Sequence, residues 1–109
     1  MLDIKSIADE IEKKIAQIDV GRKILIDRID EKARAISEYD KRLAIRILEL
    51  QSEGTPATLC EKLAKGDCWQ QRLEMEKAEG MYKAATSGME SLMAQLNGLQ
   101  SIFRHLSHT

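Results

Sequence analysis

The chain has 109 residues, 43% hydrophobic, 32% charged and only 4% aromatic, a composition that suits one charge-rich helical domain and excludes a wide aromatic core. Its 17 basic and 18 acidic residues leave a net charge of -1, so no global field draws it toward nucleic acid or anionic lipid. No uncharged apolar run approaches the roughly 18 to 20 residues of a membrane span, and the N-terminal MLDIKSIADE lacks the apolar core of a signal peptide, so the expected location is the cytoplasm, with no membrane partner.

The first element is a long helix over residues 3–53. Apolar residues recur at Ile4, Ala8, Ile11, Ile15, Ile18, Leu25, Ile29, Ile36, Leu43, Ile47 and Leu50, a mean step near 3.5 that marks the seam of a left-handed coiled coil. Asp3 is placed to cap it. Asp9 with Lys13, Glu10 with Lys14, Asp19 with Lys23, Asp30 with Arg34 and Glu38 with Arg42 set acid before base at i, i+4, a solvated face worth about 0.2 to 0.5 kcal/mol per pair. Arg22, Lys32 and Arg46 interrupt the seam; their methylenes can lie along it with the charge in water. Gly21 weakens the helix by about 1 kcal/mol relative to Ala without being expected to break it.

Glu53-Gly54-Thr55-Pro56 stops the first helix, since it joins a C-terminal glycine to the only proline. The stretch 54–66 is expected to be a structured elbow. Thr58-Leu59-Cys60-Glu61 reads as a capping box opening a short helix from Leu59 to Lys65, which Gly66 closes. Leu59 and Leu63, joined by Trp69, are expected to plug the bundle end. Cys60 and Cys68 match neither a redox pair nor a zinc half-site and read as reduced structural thiols.

Asp67 caps the second long helix, residues 67–107, whose seam is Met75, Ala78, Tyr82, Ala85, Met89, Leu92, Leu96, Leu99, Phe103 and Leu106. Its first half is small, with Gly80 and Gly88 nearby to permit close approach, and its second half is bulky. Folded back antiparallel, the bulky half lies against the N-terminal half of the first helix. Counting equal rise from the elbow sets Leu92 opposite Ile29 and Leu106 near Ile15, so that the first two turns overhang. The fold class is all-α, a long antiparallel helical hairpin forming a single domain over residues 1–109.

One two-stranded seam leaves Ile7, Ile24, Ile26, Ile45, Leu48, Met81, Met93 and Ile102 largely in water. An apolar set this wide suits a bundle of more than two helices. Two hairpins paired by a two-fold axis as a four-helix bundle are the simplest remedy, with a heterologous protein on the same face or a higher assembly as alternatives.

Motifs for chemistry are missing: no phosphate loop, no nucleophile elbow, and no E-x-x-H pair for a metal in a bundle core. His105 and His108 are i, i+3 at the C-terminus, with no local carboxylate to complete a metal site and a dipole-compensating role open to them. The reading is no enzyme, no catalytic, cofactor or metal residues, and no cofactor. Lys41, Arg42 and Arg46, or Lys13, Lys14 and Lys23, are interleaved with acids and have no aromatic platform for stacking, so nucleic-acid contact is not expected.

The stretch Ala94-Gln95-Leu96-Asn97-Gly98-Leu99-Gln100-Ser101-Ile102-Phe103-Arg104-His105-Leu106, with Pro56-Ala57-Thr58-Leu59 and Ala64-Lys65-Gly66-Asp67-Cys68-Trp69, resembles small helical proteins of phage and prophage early regions, near recombination or replication genes of Gram-positive bacteria. The resemblance implies a bacterial host cytoplasm and carries over no site. The expected function is a non-enzymatic, oligomeric helical adaptor or modulator of a phage or host protein; the alternative is an accessory nucleic-acid-binding protein of phage recombination or replication.

Overall fold

The computed structural model describes residues 3–108 and is an all-α helical hairpin: α1 (Ile4–Ser52), α2 (Ala57–Asp67) and α3 (Trp69–Ser107), with no strand among the described residues. Asp3 caps α1 as its side chain suggests: Oδ1 accepts the Ser6 N–H at 2.7 Å, and the Asp3 carbonyl accepts from Ile7 N–H. The other end is a Schellman turn. Gly54 takes φ +85, its N–H donates to the Gln51 carbonyl, and the Thr55 N–H donates to that of Leu50, so the left-handed residue must be one without a Cβ. Between these caps α1 is continuous, Gly21 included.

Packing divides the chain into two compact units, one formed by residues up to Asp27 with those from Lys83 onward, the other by Arg28–Tyr82. Both long helices contribute to each, because paired helices touch only their local neighbours.

In the Arg28–Tyr82 unit the core is Leu50 against Cys60 and Ala64, with Leu43 and Ile47 packed on it. Cys60, Ala64 and Cys68 are buried at four-residue intervals, one face of a helix. Small side chains let this arm lie close on α1. The capping-box expectation fails: α2 starts two residues earlier, after Pro56, with no side-chain cap bond, and Thr58 lies inside it. A proline lacks the N–H a cap would otherwise need to satisfy and its fixed φ starts the helix. Gly66 does not close α2, which runs on through Asp67. The break is one residue wide, at Cys68, whose N–H donates to the Ala64 carbonyl while its own carbonyl accepts from Arg72 N–H. Cys68 thus closes α2 and opens α3, and the covered face continues across it from Ala64 to Gln71 and Met75.

That arrangement explains why the register differs from the one counted along the sequence. The segment from Ala57 is the first part of the returning arm rather than an end plug, so α3 is already well along α1 where it begins. In this unit Lys32 stands over the Tyr82 ring at 4.5 Å, Ala35 shares a shallow groove with Lys77 and Ala78, and Arg46 reaches Asp67. In the other unit Gly21 lies against Met89 and Leu92. Leu92 therefore faces Gly21, not Ile29. Ile7 and Ile18 are the buried residues of that unit, Ile7 only 2% exposed, so the first turns of α1 are covered within the chain and do not overhang.

The α3 seam follows the expected three-four alternation, half-buried at each named position from Met75 to Leu106. On α1 the covered line passes through Ile7, Ile11, Lys14, Ile18, Gly21, Leu25, Arg28 and Lys32. Ile4, Ile15 and Ile29 are exposed instead, as is Arg22. A continuous three-four alternation cannot follow the isoleucines, and the long stems of Lys14 and Arg28 fill the seam in their place. Close helix approach occurs at Gly21. At Gly80 and Gly88, by contrast, a Cβ would meet nothing within 4 Å, so these two glycines face away from the seam.

Candidate interaction surface

Arg46, a seam position on α1, gathers the carboxylates beside the bend. Its Nε donates to Asp67 Oδ2 at 2.8 Å, and its Nη1 donates to Glu49 Oε2 at 3.0 Å and lies 3.7 Å from Glu53 Oε1. The bond to Asp67, then that to Glu49, raises the guanidinium pKa above its usual value. The charge is met by carboxylates rather than by water alone, and Asp67 serves this ion pair rather than capping α3. Lys32 likewise finds the face of Tyr82.

Of the other basic residues weighed for nucleic acid, Arg42 and Lys13 find carboxylates, as does Arg34 among the i, i+4 pairs. Arg42 Nε donates to Glu38 at 3.0 Å, Arg34 Nε to Asp30 at 2.7 Å, and Lys13 takes Glu10 at i, i+3 rather than Asp9. His105 and His108 are exposed. Among the described residues no three or more His, Cys, Asp or Glu side chains are grouped to hold a metal ion, and no helix is long and apolar enough to cross a membrane. Cys60 and Cys68 are buried and free; the Cys60 thiol lies 3.5 Å from the carbonyls of Thr55 and Pro56.

What the surface offers is apolar side chains. Among the described residues six hydrophobics are buried and fifteen large ones are exposed, the reverse of a protein that satisfies its apolar surface alone. Ile24, Ile26, Ile45, Leu48, Met81, Met93 and Ile102 are exposed as expected, while Ile7 is not. The larger correction concerns Trp69, for which the sequence suggests burial against Leu59 and Leu63. It is 59% exposed, and the two leucines are each close to half-exposed. The arm presents Cys60, Ala64 and Cys68 to α1, so the bulky residues beside them are turned outward. Leu73, one turn beyond Trp69, is exposed with it. These four form an apolar strip across α2 and the start of α3, within one unit. Side-chain size alone does not reveal the strip; its signal in the sequence is the phase of these residues relative to Cys60, Ala64 and Cys68.

Compared with protein-family models, curated proteins and solved structures, the chain matches none.

Proposed function

We propose that the chain is a non-enzymatic interaction protein, a helical hairpin that self-associates, as a dimer in the first instance, and acts as an adaptor or modulator of another protein. The observation that carries this reading is the excess of exposed large hydrophobics over buried ones, with an outward-facing indole among them. Burial at about 25 cal/mol per Å2 makes covering these side chains the main source of binding free energy available to the chain. A phage or prophage setting, and with it the bacterial cytoplasm, rests on the resemblance of the elbow and the Ala94 to Leu106 stretch to early-region phage proteins.

Two measurements test the reading together. Light scattering should give a mass above that of one chain. Affinity purification from the cells that carry the gene should then retain a second protein at fixed stoichiometry, lost when the exposed hydrophobics are replaced by Ser. Self-association alone, under every growth condition, would remove the adaptor role; a monomer that retains nothing would remove the whole reading.

A further inference from the structure

We draw no further inference here: the strongest candidate, the exposed apolar strip of Leu59, Leu63, Trp69 and Leu73 across α2 and the start of α3, carries nothing because nothing in the structure shows what covers it.

Discussion

Gly21 and Met89 meet so closely that a Cβ on Gly21 would stand 2.6 Å from the Met89 sulfur. A methionine stem is flexible, so an added methyl can be met by a change of rotamer, but a branched side chain cannot. Gly21→Leu should therefore destabilise by about 1 to 3 kcal/mol, despite the gain in helix propensity of up to about 1 kcal/mol. Met89→Ala in the same chain should restore most of the loss. Urea denaturation of the single and double variants measures this, and additive effects would show that the two positions do not compete for space.

Leu50 and Trp69 should respond in opposite ways. Leu50 is 5% exposed in the cluster with Cys60 and Ala64, so Leu50→Ala should cost about 2 to 5 kcal/mol of stability. Trp69→Ala should cost less than about 1 kcal/mol at concentrations where the chain is monomeric, since most of the indole is already in water. Thermal melts at low and high protein concentration separate the two effects.

The cap at Asp3 makes the start of α1 sensitive to acid. Its carboxyl is held below the usual range mainly because it accepts the Ser6 backbone N–H, assisted by the Ser6 side chain. A lowered pKa in the folded state means that the contribution is fully present above the unfolded value of about 3.9 and is lost as pH falls through the lower, folded value. An NMR titration of Asp3 should give a midpoint below that of an unstructured aspartate. Asp3→Asn, which keeps the accepting oxygen, should remove this part of the acid dependence.

Arg46 joins α1 to the end of α2 through Asp67. Arg46→Gln leaves Asp67, Glu49 and Glu53 without their shared cation, so the melting temperature should fall. The fall should be larger at about 0.01 M than at about 1 M salt, because these side chains are partly in water and screening weakens the native pairs. A fall independent of salt would assign Arg46 a packing role instead.

The parts of this fold legible in the sequence are those set by local chemistry. Gly54 before Pro56 marks a left-handed turn whatever surrounds it, Asp3 caps the nearest free N–H groups, and the α3 seam is written in an unbroken three-four alternation. The register was not legible, because it depends on which face of the short segment after Pro56 meets α1. Cys60, Ala64 and Cys68 carry that information, yet their thiols invite a question about reactivity before one about size. The same ambiguity of phase hides the exposure of Trp69: burial in a two-helix seam goes to residues in phase with it, and Lys14 or Arg28 in phase is covered better than Ile15 or Ile29 out of phase. The outward strip becomes visible only once that phase is known.

The pairing of Leu50 with Cys60 and Ala64 also sets an order of events in time. Leu50 and Ala64 are separated by 14 positions along the chain, whereas Gly21 and Leu92 are separated by 71. Closing the short loop sacrifices far less chain entropy, and every pair formed there shortens the effective loop for the next. Loop closure thus favours pairing that starts at the bend and proceeds toward the ends. On a ribosome this means that α1 waits, without its seam covered, until α2 emerges, and that the earliest tertiary contact made is also the one nearest the exposed strip.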